Sequence, residues 1–319
     1  MPDSAEVNMQ AVQFDDFDAC ATALRSWELD AVQLDRGSFW GELTQACSAT
    51  TLVTEGKFGR KLHQTGEPPR GLRTISVPAD PGQQIEWRDH SVTGDQLMLF
   101  PAGCELDAVS RPGFHVFTIS FSEDRVSDLA RSLADSDYEG LVAGFEVREP
   151  SPPLMRELRR RARRFVTSSP DPEAARDSSE PAEADLMETL VETLSFAAPS
   201  PAVAPYRNRD RAVRRTLELI EARERDALSV ADLCRVAGVG RRTLEYAYQE
   251  RFALSPKAYL IARRLDGVRA DLKRAADDPS VTRAANRWGF HHLSQFAALY
   301  RRQFGERPRE TLRRTGFLG

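Results

Sequence analysis

Two periods of apolar residues run through the sequence, and the switch between them falls near Ser122. From about residue 32 to 121 the apolar positions come in short runs rich in β-branched and aromatic residues: Phe39–Leu43, Thr50–Val53, Arg73–Val77, Gln96–Phe100 and Phe114–Phe121. Turn-forming clusters separate them, among them Glu67-Pro68-Pro69, Pro81-Gly82, Pro101-Ala102-Gly103 and Pro112-Gly113. Short strands punctuated in this way predict a small barrel or sandwich. After Ser122 the spacing becomes helical, first over Val126–Leu133 and then over 153–166, where Leu154, Leu158, Ala162 and Phe165 share one face.

The stretch 167–185, TSSPDPEAARDSSEPAEAD, offers too little apolar surface to repay ordering and predicts a flexible insertion. Leu186, Leu190, Val191 and Leu194 then make a short apolar stripe. Packing within the chain outweighs packing on a second copy, because most amphipathic helices cover their own core. The three prolines of AAPSPAVAP, 197–205, read as a semi-rigid spacer. The expected division is a domain over 1–196, a linker over 197–208 and a second domain over 209–319.

Beyond the spacer the pattern is nearly all helix. Val213, Leu217 and Ile220 line a helix over 211–225, and Ser229-Val230-Ala231-Asp232 forms a capping box that starts another, with Val230, Leu233 and Val236 expected inward. Ala237-Gly238-Val239 ends it at a residue able to take positive φ. A further helix follows over 240–252, burying Leu244, Tyr248 and Phe252 at i, i+4 and i+8 and baring Arg241, Arg242, Glu245, Tyr246 and Gln249. A short helix, a glycine turn and a second helix with an exposed polar face form the helix-turn-helix pattern, whose second helix enters the major groove of DNA. The pattern recurs. Ser280 caps 281–288, Gly289-Phe290 turns, and 291–304 buries Phe296, Tyr300 and Phe304 while presenting His291, His292, Ser294, Ala297, Ala298 and Arg301. Between the two, Ser255-Pro256 opens a helix of about 20 residues, roughly 30 Å. Successive major-groove segments on one side of B-DNA lie about 34 Å apart. That spacer suits one chain reading two of them.

Charge sharpens the picture. The net −4 hides a C-terminal segment from Tyr206 with 25 Lys and Arg against 14 Asp and Glu, a net +11, joined to a remainder with 19 against 34, a net −15. A polyanionic partner for the basic half follows, since each cation set against phosphate releases condensed counterions. Cys20, Cys47, Cys104 and Cys234 are scattered, with no CxxC pair and no histidines at ligand spacing, and read as small buried thiols. No run approaches the roughly 18 apolar residues of a membrane span, and the N-terminus lacks the features of a secretory signal, so the expected location is the cytoplasm, away from any membrane.

The segments SVADLCRVAGVGRRTLEYAYQERFALSPKAYL, ARRLDGVRADL and AANRWGFHHLSQFAALYRRQFGERPRE, with its closing GxxP, resemble the AraC/XylS family of bacterial transcription regulators over about a hundred residues. The resemblance implies an α+β chain. Its C-terminal part would be an all-α, homeodomain-like double helix-turn-helix domain, and its N-terminal part a cupin-like β-barrel with flanking helices that senses a small molecule. It also implies that the first recognition helix makes the stronger base contacts, carried over to Arg242, Glu245, Tyr246 and Gln249. The second maps onto His292, Leu293, Ser294, Ala297 and Ala298, where Leu293 and the alanines offer methyl contacts rather than hydrogen bonds; His292 and Arg301 would meet phosphate.

The segment 34–121 is similar to such sensor domains, above all those of regulators related to the ethanolamine-responsive one, whose ligand is not carried over. Catalytic cupins hold metal with a His-x-His pair; His63, His90 and His115 stand alone, so no metal or cofactor is expected. Trp40, Trp87, His115 and Phe117 are candidates for an effector pocket, with ordinary core packing the weightier reading of each. Expected partners are promoter duplex, RNA polymerase, a small-molecule effector and a second copy of the chain in a dimer, in the service of an activator. Two rivals stay open: a DNA-repair enzyme with a fused helix-turn-helix domain, against which no cysteine has an activating neighbour, and a non-specific DNA coater.

Overall fold

The computed structural model describes residues 8–24, 26–87, 90–100, 105–134, 147–167, 172–200, 207–223, 225–226, 228–274 and 280–314. Cys104 and residues 168–171 and 201–206, on which parts of the sequence expectations fall, lie outside them. By density of internal contacts the chain divides into two units. The first comprises Met1–Asp30, Trp40–Gly59 and Gln64–Ala204; the second comprises Ala31–Phe39, Arg60–His63 and Pro205–Gly319. The class is α+β.

In the β-rich part, β1 (Asn8–Phe14), β3 (Gly41–Cys47), β4 (Thr51–Phe58), β6 (Arg73–Pro78), β9 (Leu97–Leu99), β11 (Phe114–Phe121), β12 (Val147–Glu149) and β13 (Ala198–Pro199) make one sheet, ordered β1-β3-β4-β11-β6-β9-β12-β13. A second sheet holds β2 (Glu28–Gln33), β5 (Leu62–Glu67), β7 (Gln84–Trp87), β8 (His90–Thr93) and β10 (Leu106–Val109), ordered β2-β5-β10-β7-β8. The sheets do not close on each other. The expected barrel is instead two separate sheets.

Strand alternation gives the larger sheet two different faces. On β11, Phe117, Ile119 and Phe121 join a core with α2 (Glu123–Ala134), α3 (Pro152–Thr167) and α4 (Pro172–Phe196), which follow the short α1 (Phe17–Ala23). Val116 and Thr118 point the other way, into space walled on its far side by β7 and β10.

The stretch expected as a flexible insertion is helical from Pro172 onward. Its alanines and glutamates are strong helix formers. Ala182 extends the buried stripe of Leu186 and Leu190, and the Glu183 carboxylate accepts from the hydroxyls of Ser48, Thr50 and Thr51 at 2.8, 2.8 and 2.6 Å. Part of the expected spacer is likewise structured: Ala198 and Pro199 pair with Glu149 and Arg148 at the edge of the sheet, where a proline lacking its N–H is tolerated.

In the second unit α5 (Arg207–Ala222), α6 (Val230–Ala237), α7 (Arg241–Phe252), α8 (Pro256–Arg274), α9 (Val281–Arg287), α10 (Leu293–Phe304) and α11 (Pro308–Arg314) pack around two aromatic groups. In one, Tyr248, Phe252 and Tyr259 lie with ring centroids 4.7–5.5 Å apart. In the other, Phe296, Tyr300 and Phe304 repeat the arrangement. Two of the buried tyrosines are tied to threonines, Tyr248 to Thr216 at 2.6 Å and Tyr300 to Thr311 at 2.8 Å. Thr216 and Thr311 spend their own protons on Val213 O and Glu306 Oε1, so both phenols are the donors. The N-terminal segments of this unit add to it: the Gln33 amide donates to Gln303 O at 3.0 Å and accepts on its own backbone O from Gln303 Nε2 at 2.6 Å, and His63 Nδ1 lies 2.7 Å from Tyr259 Oη.

Candidate nucleic-acid interface

The first helix-turn-helix is α6, its turn and α7. Ser229 and Asp232 cap α6 reciprocally: Ser229 Oγ accepts from the Asp232 N–H at 3.3 Å, and the Asp232 carboxylate accepts from the Ser229 N–H at 3.0 Å. The Ser229 hydroxyl donates to the same carboxylate at 2.6 Å, and with the Ser229 N–H and Arg235 also donating, the Asp232 carboxyl is held down at about 2. Gly238 closes α6 with φ 68°, a left-handed conformation that glycine adopts without strain, and Gly289 does the same after α9 with φ 78°. Leu233 and Ala237 face inward. Val236, expected there, is 37% exposed because Ala237 occupies the inward position of that last turn.

On α7, Leu244, Ala247, Tyr248 and Phe252 are buried, while Arg241, Arg242, Glu245, Tyr246 and Gln249 are all exposed. Two i, i+4 pairs organise the exposed face. Arg241 Nε donates to Glu245 Oε1 at 2.9 Å, and the Arg242 guanidinium lies 5.6 Å from the Tyr246 ring centroid with a 3.2 Å bond to its hydroxyl. Arg242 is thereby held extended along the helix with most of its donors unused by Tyr246. That is a suitable state for bidentate recognition of guanine O6 and N7.

The second helix-turn-helix is α9, its turn and α10. Ser280 caps α9, accepting from the Arg283 N–H at 3.3 Å. The helix expected from His291 begins two residues later at Leu293, with His292 as N-cap. His291, His292, Ser294, Ala298 and Arg301 are exposed, Ala297 is half-buried, and Leu293 stands 41% exposed. This face is poor in hydrogen-bond donors and carries apolar groups able to meet thymine methyls. Neither α7 nor α10 has a side-chain hydrogen bond at its N-cap, Gly240 or His292, which leaves first-turn N–H groups available to phosphate.

Exposed polar residues outside the predicted sets, Thr243 on α7 and Gln295 on α10, share these first turns. Their polarity at non-core positions was the available signal. The positive surplus is also not all presented outward. Arg269 is buried, paired with Glu306 at 3.2 Å and stacked 4.7 Å from the Phe304 centroid, and Arg251 packs over Phe252.

The four residues proposed for an effector pocket lie apart. Trp87 lines the space between the sheets. Trp40 is 50% exposed. Phe117 is wholly buried in the helix-facing core, and His115, on the same side of β11, bonds Glu55 at 2.7 Å and Asp80 at 3.3 Å. The imidazole holds the Glu55 carboxyl below the usual range. Among the described residues there is no cluster of His, Cys, Asp and Glu able to hold a metal, and no helix long and apolar enough to cross a membrane.

Residues 233–314 match a protein family described as a helix-turn-helix domain. The chain is 38% identical over 108 residues to the "Probable thc operon regulatory protein" of Rhodococcus erythropolis, which takes in 33% of this chain and 32% of that protein. It is 36% identical over 101 residues to the XylDLEGF operon transcriptional activator 3 of Pseudomonas putida, 31% of this chain and 30% of that one. The matched stretch thus spans a third or less of these curated relatives. A solved AraC family regulator of Rhodopseudomonas palustris CGA009 is 36% identical, covering 33% of this chain and 96% of the other, with a TM-score of 0.31. The fold and the family match together define a chain that carries a helix-turn-helix domain in its C-terminal part. Two such units stand in tandem, in a stretch similar in sequence to bacterial operon regulators.

Proposed function

We propose that the chain is a sequence-specific transcription regulator of the AraC/XylS type, seating α7 and α10 in adjacent major grooves and answering to a small molecule bound in its β-rich part. The observation that carries this reading is the repetition: two capped helix-turn-helix units, each burying an i, i+4, i+8 aromatic or aliphatic stripe and baring the opposite face of its second helix. Arg242, Tyr246 and Gln249 read base edges; Arg241, with Glu245 orienting it, and His292 and Arg301 position the duplex; His291, Ser294 and Ala298 complete the second face. Relatives named as transcriptional activators favour an activator; within this proposal it works with RNA polymerase in the cytoplasm, as a dimer and without catalytic chemistry of its own.

The test is selection of duplex fragments by the purified chain, followed by competition with random duplex. A regulator holds its selected site at least about 10³-fold more tightly than random DNA. Equal affinity would make the chain a coater, and methyl transfer from alkylated duplex to a cysteine would make it a repair enzyme.

A further inference from the structure

Between the two sheets of the β-rich part lies a cavity that opens to solvent, with about 600 Å³ of atom-free space when the solvent at its mouth is included. Its walls are the inward positions of both sheets, and among the described residues not one charged side chain lines it. Aromatic and aliphatic groups dominate, relieved by Gln64 and a few hydroxyls.

Two polar groups in this wall are out of keeping with a dry core. Trp27 and Trp87 both line the cavity, 8% and 1% exposed, and the indole Nε1 of each is buried with no hydrogen-bond partner among the described residues. Both indoles pack on the ring of Phe100, with centroids 6.0 Å away for Trp27 and 5.6 Å for Trp87, so the two rings belong to one region of the wall. Buried N–H groups are nearly always satisfied, and a pair left open in one cavity calls for a missing acceptor. Indole N–H can only donate, so the missing atom is an acceptor. With no cation among the described residues of the wall to offset it, a buried carboxylate would forfeit its hydration uncompensated.

Resting on the proposal that this part binds an effector, the geometry points to its class: a neutral, largely apolar molecule whose carbonyl or ether oxygen accepts from the Trp27 and Trp87 indoles. The site selects against anions of the same shape. Of the sequence candidates, Trp87 alone belongs to it, and Trp27 joins it from the loop before β2.

The experiment compares three probes of one ring system on the full chain: 2-acetylnaphthalene, which carries an acceptor; 2-ethylnaphthalene, which carries none; and 2-naphthoate, the anion. The four indole N–H resonances, those of Trp27, Trp40, Trp87 and Trp288, are followed by nitrogen-15 NMR. The expected result is that 2-acetylnaphthalene binds about tenfold more tightly than either analogue and moves the Trp27 and Trp87 signals while leaving Trp40 and Trp288 in place. Trp87→Phe and Trp27→Phe should each remove part of that preference. Should either variant fold poorly, Ala108→Leu fills the cavity from β10 without touching an indole and should abolish binding. Equal or tighter binding of the naphthoate, unmoved indole signals, full binding by Ala108→Leu, or no binding of any probe up to its solubility limit would overturn the assignment. Affinity for the selected duplex is measured alongside: site-specific DNA binding with failed probes sinks the ligand class alone, whereas loss of DNA specificity sinks the regulator reading itself.

Discussion

In the proposed DNA interface, Arg242 concentrates the chemistry in one side chain. It is exposed, held along Tyr246, and carries more donors than that contact uses. Arg241 beside it is engaged by Glu245, whose carboxylate offsets its charge. Arg242→Ala should therefore weaken binding to the selected duplex by about 1–3 kcal/mol and relax the base preference at one position, as measured by titration on matched and single-substituted sites. An equal loss on random duplex would demote Arg242 to a phosphate contact. Arg269 teaches the complementary lesson, because a basic residue counted toward DNA binding from composition is spent on Glu306 and Phe304 inside the domain.

Elements make their demands through packing. Gly267 sits inside α8, where glycine costs about 1 kcal/mol relative to alanine. A Cβ there would fall within the indole of Trp288, which is fixed by its Nε1 donating to Asp271 Oδ2 at 3.0 Å. Gly267→Ala is expected to destabilise the second helix-turn-helix by about 1–3 kcal/mol despite its gain in helix propensity. Thermal unfolding checks this, and a raised melting temperature would show that Trp288 can move freely aside. The α-helical part was largely legible beforehand because its signals are local: the caps at Ser229 and Ser280, the turns at Gly238 and Gly289, and the i, i+4, i+8 stripes of α7 and α10. What escaped depends on partners distant in sequence. The helix across 172–185 needs the core that Ala182 and Leu186 meet and the hydroxyls that Glu183 accepts from. Ala198–Pro199 becomes a strand only because Arg148 and Glu149 lie beside it. Phe117 and His115, pocket candidates for which core packing was the weightier reading, stand on the helix-facing side of β11, and Trp27, before β2, carried no periodic signal at all.

For the whole molecule, the N-terminal segments gathered into the second unit bear on how far its helices are self-sufficient. A fragment from residue 206 keeps both aromatic groups but loses the bonds from Gln33 to Gln303 and from His63 to Tyr259. It should hold the selected duplex within about tenfold of the full chain, or about 1.4 kcal/mol, while its α7 and α8 amides exchange faster. An unfolded or inert fragment would make Ala31–Phe39 and Arg60–His63 obligatory to the domain. The central claim is that one chain places two recognition helices in neighbouring grooves across α8, whose 19 residues give about 28 Å of helix. Hydroxyl-radical footprinting of the selected duplex, at a loading of one chain per duplex, tests it most directly. Two protected patches are expected on one face of the DNA, centred about 10 base pairs apart, with Arg242→Ala weakening one of them; a single patch, or even protection along the duplex, would rule the two-groove arrangement out.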